Sequence, residues 1–480
     1  MDEIFSCKLS VLHTMIKSRK ISSEELVRYY LKRINEINPY INALHQVDES
    51  RLLKEARNCD NQLKQGNCIG PLHGIPISIK DNIVTKDIVT TAGLKEFLDC
   101  IPEVDATVVK RIKLAGAIVL GKTNTPDLTL SWNTQSTAYG ETKNPYNLKL
   151  SPGGSSGGEA AAIAAACSPI GIGNDCGGSI RLPSHYCGIA GFRPSLGLIP
   201  CTGLAPPPEG TFPMALAAPT TVMGPLARFV DDLSYIIPIL SGPDHQDPNA
   251  LSYPLSINQK VNLSYMRIAY YCNDDVHEAD SDTKNCLDQV MKALDPIVCS
   301  IQTIKPPMIE KAWELFFNLF ACEEGRGNKE FLKHHNILKP AKHLSYLLER
   351  FKNKGKTIDE FLALWVEWDY YRSKMLSFMT DYDLILTYVM PHAATPLDDV
   401  IIAPSSDASR VNNLVAYSLL GWPSAVVRIG TSSQGLPIGI QIIASHGKDS
   451  LVLSIAKRLE NMFGGWVLPS FIQETECAVI

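Results

Sequence analysis

Apolar positions near the start of the chain recur at helical spacing. Leu26, Tyr29, Tyr30, Ile34 and Ile37 stand three, four or seven places apart, which collects side chains on one face of an α-helix. Ser22 with Glu25 three places on has the form of a capping box, so the pattern predicts helices within 22–45. The period then shortens. Residues 74–84, "GIPISIKDNIV", alternate like a strand, and "DATVVKRIKLAGAIVLGKTN" reads as a helix and then a buried strand ending near Gly121. That αβ unit predicts a sheet that is at least partly parallel.

Residues 151–184, "SPGGSSGGEAAAIAAACSPIGIGNDCGGSIRLPS", read as a Gly/Ser loop, an Ala-rich helix, a short apolar strand and a second Gly/Ser turn. Residues 223–241 read as a turn and then a helix. From about 255 to 380 the sequence becomes charged, Lys-rich and helical. From 381 to 480 the αβ pattern returns, with strands in "DYDLILTYVMP" and "GLPIGIQIIAS" and a closing helix in "DSLVLSIAKRLENMF". One large α/β sheet carrying a helical insertion explains this return better than separate domains do. No internal repeat is present.

Composition narrows the class. With 45% hydrophobic and 20% charged residues the 480-residue chain is globular in character. A net charge of −5 gives no general pull toward nucleic acid. The 13 cysteines are odd in number and contain no CxxC pair, so neither a metal site nor a disulfide framework is expected, and free thiols suit a reducing compartment. The start, "MDEIFSCKLS", is not a signal peptide, and no run of 18 apolar residues exists. The expectation is an intracellular protein, cytoplasmic or peripheral on a membrane, not secreted and without a transmembrane helix. Cys477 to Ile480, "CAVI", has the form of a prenylation box.

The chemistry concentrates in the two Gly/Ser clusters. Gly153 to Gly157 fits G-x-S-x-G before a helix, which is the form of a nucleophile elbow, and His392 would then be the histidine of an α/β-hydrolase triad. Against that reading, "ETKNPYNLKLSP" supplies no clear strand before the loop, and "DCGGSIR" is left without a role. Within the second cluster Cys176 and Ser179 compete as nucleophiles, with His185 the only histidine nearby. Lys80, closing an apolar strand, is costly to bury in charged form.

Taken together, "GGSSGGEAAAIAAACSPIGIGNDCGGSIRLPSHYCGIAGFRPS", "NPYINAL", "GIPISIKDNI", "GKTNTPDL", "GPLARFVDDL" and "GLPIGIQII" resemble, in order, the motifs of the amidase signature family. The resemblance spans nearly the whole chain. It implies one large α/β domain over 1–480, a central twisted mixed sheet covered by many helices, with a signature core at about 70–240. It implies a Ser–Ser–Lys triad: Ser179 as nucleophile, Ser155 as the bridge after a cis peptide bond, and Lys80 as base. It also implies an oxyanion hole made by the N–H groups of Cys176, Gly177, Gly178 and Ser179. These types suit the task. A neutral lysine can take a proton, and a hydroxyl both donates and accepts, so it can pass that proton on. Cys176 then lends its amide rather than its sulfur. Asp175, Arg181 and Ser156 are supporting groups. No metal or organic cofactor is implied.

The family spans small-amide amidases, the glutaminase subunit of a tRNA-dependent amidotransferase, peptide amidases and fatty acid amide hydrolases. Glu159 and the "GGSIRLPSHYCGIAGFRPS" stretch resemble the last group, and "LGLIPCTG" departs from the arginine-containing turn typical of the amidotransferase subunit. The substrate implied is a lipidic amide, an N-acylethanolamine or primary fatty amide. The alternative is a small-amide or glutamine amidase, including a subunit that delivers ammonia to a partner. Leu130 and Trp132 in "LTLSWNT" are candidate pocket walls by resemblance, and Leu419, Leu420 and Trp422 are a second candidate wall. The all-round apolar helix with Trp313, Phe316, Phe317 and Phe320 reads as buried core. Residues 326–356 carry nine Lys/Arg against two Glu, with Leu344, Leu347, Leu348 and Phe351 on one face. Such a stretch can lie on an anionic membrane or pack on the body. No nucleic-acid partner is expected, and a homodimer is compatible with the sequence.

Overall fold

The computed structural model describes residues 2–204, 218–252, 255 and 261–472. The Cys477 prenylation box lies outside the described residues. The capping box forms: the Glu25 N–H donates to Ser22 Oγ at 3.0 Å and the Ser22 N–H to Glu25 Oε2 at 2.8 Å, opening the helix Ser23–Ile41. Leu26, Tyr30, Ile34 and Ile37 are its buried face.

Strands β1 (Leu44–His45), β2 (Pro76–Lys80) and β3 (Ile118–Thr123) begin the large sheet, and β4 (Gln135–Ser136) and β5 (Gly140–Glu141) make a separate small pair. The sheet continues with β6 (Ile170–Asp175), β7 (Ala190–Arg193), β8 (Val222–Ala227), β9 (Arg267–Tyr271), β10 (Ser300–Thr303), β11 (Leu384–Tyr388), β12 (Ser424–Thr431) and β13 (Pro437–Ile443). Its eleven strands run in the order β1-β3-β2-β6-β8-β7-β12-β13-β11-β9-β10. The sheet is mixed: β3, β2 and β6 are parallel, the middle is antiparallel, and β11, β9 and β10 are parallel again. The helix Thr107–Leu114 crosses from β2 to β3, which is the αβ unit read from the sequence. Its strand runs past Gly121 to Thr123, with the glycine inside it. A Cβ at Gly121 would lie 2.7 Å from His45 O on β1.

Two stretches differ from expectation. Residues 222–227 are a central strand rather than a turn. "VMGPLA" has Gly and Pro, which local propensity counts against a strand, yet β8 is held on both sides by β6 and β7. Gly224 lets β7 approach, since a Cβ there would lie 2.3 Å from Phe192 O. The stretch 255–380 is also not wholly helical. It supplies β9 and β10, parallel to β11, and the helix Ser281–Leu294 between them. The helices Ala312–Ala321, Arg326–His334, Lys342–Phe351 and Ile358–Phe378 follow.

Both faces of the sheet are covered, and the side-chain alternation shows how. Ile268 and Tyr270 face a core shared with the helices Ser281–Leu294 and Asp449–Phe463, whereas Ala269 and Tyr271 face one shared with Ala312–Ala321 and Ile358–Phe378. Leu344, Leu347 and Phe351 are buried. The apolar face of the basic stretch 326–356 is therefore packed on the body, and Ala341 N–H is tied to Asp127 Oδ2 at 2.8 Å.

Candidate active site

Lys80 ends β2 and Asp175 ends β6. The two strands are parallel neighbours, so both ends open at the same rim of the sheet, where α/β folds place their ligands. The turn 176–179 leaves β6 at that rim. The loop 151–156 reaches it from the side and runs into the helix Gly157–Ala164. Ser156 N–H donates to Ser179 O at 3.2 Å, holding the two Gly/Ser segments edge to edge. The structure thus brings Lys80, Ser155, Ser156 and Ser179 together from three separate parts of the chain.

Lys80 is fully buried, and its Nζ donates to Ser155 Oγ at 2.6 Å. Burial pushes its ammonium well below the usual lysine range, with Asp175 and Glu159 pulling the other way. Ser155 follows a cis peptide bond from Gly154, the bond that the resemblance implied. Its carbonyl accepts from Thr125 Oγ1 at 2.9 Å, and Ser156 Oγ donates to Asn174 O at 3.3 Å. Ser155 is 1% exposed and Ser179 8%, so of the two serines Ser179 is the less deeply buried.

Asp175 is the structural key to the turn. Its Oδ1 accepts from Gly178 N–H at 2.8 Å and its Oδ2 from Ile180 N–H at 3.1 Å. Arg181 grips the same carboxylate as a fork, Nε to Oδ2 and Nη2 to Oδ1, both at 3.0 Å. Arg193 donates to Asp175 O at 2.7 Å and lies 3.5 Å from Oδ1. Burial works to raise the carboxyl of Asp175, but Arg181, Arg193 and these hydrogen bonds outweigh it and hold it well below the usual range. Arg181 also reaches Leu414 O and Gln441 Oε1 at 2.8 Å and Ser418 Oγ at 2.7 Å. The turn is thereby anchored to the C-terminal third of the chain. One of the four expected backbone donors changes status: the Gly178 N–H is already engaged by Asp175.

The competing nucleophile readings separate clearly. Cys176 Sγ lies 3.2 Å from Thr220 Oγ1, and burial raises its thiol, so it is no thiolate. His185 Nε2 donates to His392 O at 3.1 Å while Nδ1 accepts from Gly439 N–H at 2.9 Å. Burial drops its imidazole to about 4, and both nitrogens are occupied by backbone. His392 is bonded to Ala393 O at 2.8 Å, and no hydrogen bond among the described residues joins it to the 153–157 loop. That loop follows turns rather than a strand, so it is no elbow.

The pocket candidates divide. Trp132 Nε1 donates to Gly177 O at 2.9 Å, and Leu130 packs with the insertion helices. Leu419 and Trp422 are buried in the core behind the turn, with Leu420 packed against them. From that segment it is Leu414 and Val415 that meet the turn: Cβ atoms at Gly178 and Gly177 would lie 2.7 Å from Leu414 Cδ1 and 3.3 Å from Val415 Cγ1. Phe316 does so too, with its Cζ 3.0 Å from a Cβ at Gly177. The apolar helix Ala312–Ala321, read as core, is therefore core on one side and stands at the turn on another. Sequence reasoning missed Phe316, Leu414 and Val415 because nothing local says which turn of a helix meets a loop far away in the chain. It also missed Glu159 as a member of the site. A lone carboxylate in an alanine helix was the available signal.

With the geometry established, residues 25–453 match the protein family described as Amidase. The chain is 30% identical to fatty-acid amide hydrolase 2 of Homo sapiens, covering 95% of this chain and 89% of that protein. It is 28% identical to a glutamyl-tRNA(Gln) amidotransferase subunit of Clostridium acetobutylicum, covering 95% and 99%. A solved structure of 6-aminohexanoate cyclic dimer hydrolase complexed with substrate superposes with a TM-score of 0.82 at 25% identity, covering 98% and 99%.

Proposed function

The chain belongs to the amidase family and is an amide hydrolase, and on that premise we propose that it cleaves fatty acid amides through Ser179, Ser155 and Lys80. Ser179 Oγ attacks the amide carbonyl. Its proton goes to Ser155, whose own proton passes across the 2.6 Å contact to Lys80 Nζ. Backbone N–H groups of Cys176, Gly177 and Ser179 face the developing oxyanion, a role in which one donor is worth about 10²–10³ in rate. The relay then returns the proton to the leaving nitrogen, the acyl group stays on Ser179, and water releases the acid.

The observation that carries the substrate class is the apolar wall at the turn. Trp132 and Phe316 pack at Gly177, and further rings follow them to the buried Phe351. Trp132 to Trp313 is 6.0 Å between centroids, Trp313 to Phe317 5.6 Å and Phe317 to Phe351 5.7 Å. An acyl chain can bury its methylenes along such rings, each worth about 0.8 kcal/mol. Free glutamine would set its ammonium and carboxylate against them. The test is a series of primary amides and N-acylethanolamines of rising chain length, with glutamine as comparison. Hydrolysis without a partner protein is expected, with kcat/KM rising with length, and Phe316→Ala should lower it more for long chains than short. Glutamine as the preferred substrate, or activity only with a partner chain, overturns the reading.

A second observation favours contact with a membrane, the source of such amides. On the helix Ile358–Phe378 the residues Ile358, Leu362, Val366 and Tyr370 recur every four positions and are each more than half exposed. Lys352, Lys354 and Lys356 precede them. The stripe lies one helix beyond the basic stretch singled out in the sequence, whose own apolar face is packed. Co-sedimentation with vesicles containing anionic lipid should be lost on Leu362→Glu with Val366→Glu, and unchanged binding would exclude this face.

A further inference from the structure

Glu159 sits in a helix otherwise made of glycine, alanine and isoleucine and is fully buried. No salt bridge satisfies it among the described residues. Two hydroxyls do: Ser78 Oγ donates to Oε1, and Thr123 Oγ1 donates to Oε2 at 2.7 Å. Ser78 also reaches Ser168 Oγ at 2.9 Å. The sheet is shaped around this carboxylate, because a Cβ at Gly171 would fall 1.6 Å from Glu159 Oε1.

The placement relative to Lys80 follows from the sheet. Ser78 and Lys80 are two apart on β2 and share a face. Thr123 is the register partner of Lys80 on the parallel strand β3. Both hydroxyls that hold Glu159 therefore flank Lys80, and the carboxylate lies beside it. Burial pushes Glu159 up to about 7, against the pull of its hydroxyl partners, Lys80 and Lys122, so its negative charge is present above that pH and is lost below it.

The other charges around it are accounted for. Asp175 is gripped by Arg181 and Arg193. Lys122 Nζ donates to Ile83 O, and at 3.1 Å to Thr85 and Thr90. Asp81 is held by Thr91. Arg33 and Arg228 bind Ala165 O and Ser168 O past the far end of the helix. Of the two carboxylates that act on Lys80, Glu159 alone is not neutralised by an arginine.

We infer that Glu159 is a positioning residue for the proposed reaction: the Ser78–Glu159–Thr123 cluster sets a negative charge beside Lys80 and stabilises the ammonium that forms there as Ser179 loses its proton. The inference rests on the triad reading above. The proton balance is unchanged, since Glu159 neither receives nor gives the travelling proton.

The experiment is the pH profile of kcat/KM for an acyl p-nitroanilide. In Glu159→Gln the charge is gone, so Lys80 stays neutral to lower pH. The acid limb should move down by about one unit, and the plateau should fall about tenfold with KM little changed. Glu159→Asp keeps the charge and should restore the limb. A limb that stays at the wild-type pH in Glu159→Gln, whatever happens to the melting temperature, overturns the inference. If that variant does not fold, Ser78→Ala removes one of the two bonds keeping the carboxylate ionised. It should move the limb the same way by less, and an unmoved limb again overturns the inference. Fluorophosphonate labelling of Ser179 tests the triad separately, so failure of the relay and failure of the Glu159 role are distinguishable.

Discussion

Replacing Ser179 with alanine is expected to lower kcat by about 10⁴-fold or more, the scale seen when a nucleophile that works as a unit with its base is removed. The expectation comes from the pairing of access and relay. Ser179 is the less deeply buried of the two serines, and Ser155 is already bound to the buried Lys80. Because the site is held by Asp175 and not by the Ser179 hydroxyl, the variant should keep its fold and melting temperature. The same variant should lose labelling by a fluorophosphonate, and peptide mapping of the labelled wild type should find the adduct on Ser179. An adduct on Ser155, Ser156 or Cys176, or a Ser179→Ala variant of undiminished activity, ends the mechanism.

Asp175→Asn should be the most destabilising single change at the site. Both Arg181 and Arg193 are buried with Asp175, and all three side chains are fully shielded from water. Removing one partner of a buried ion pair leaves uncompensated charge and costs about 3–5 kcal/mol. Here two arginines lose their partner at once, and the Gly178 and Ile180 N–H groups lose a charged acceptor. A lower urea midpoint at neutral pH is the measurement. The pH dependence has a definite sign. The folded carboxyl lies below its usual range, so its contribution is present above the usual aspartate pKa and fades as pH falls through the usual range toward the folded value. The gap between wild type and Asp175→Asn should therefore be full at neutral pH and narrow in acid. Equal midpoints at pH 7 would remove Asp175 from its place as the anchor of the turn.

Part of the architecture is legible in local periodicity alone. The capping box at Ser22, the αβ unit at 74–123 and the closing strands at 384–388 and 437–443 follow from it, because the side-chain pattern is set by the element itself. The strand at 222–227 is hidden, since Gly224 and Pro225 argue against a strand until β6 and β7 hold it on both sides. β9 is passed over because it lies within the stretch 255–380 read as helical, and nothing local shows the parallel strand β11 that it pairs with. Trp132, singled out by resemblance, meets the turn at Gly177, whereas Phe316, Leu414 and Val415 are not legible in the sequence, because their approach to the turn depends on how distant helices dock.

By itself the sequence determined which residue types are available for the chemistry: two Gly-rich turns that free backbone N–H groups, serines on both, and a lysine closing an apolar strand. Only the tertiary structure decided how they are placed. Parallel pairing of β2 with β6 puts Lys80 beside the turn, burial withholds the water that would keep its ammonium charged, and Asp175 takes the Gly178 amide into its own service. Each depends on groups far apart in the chain meeting in a low-dielectric interior, where proximity and desolvation, rather than local preference, set proton affinity.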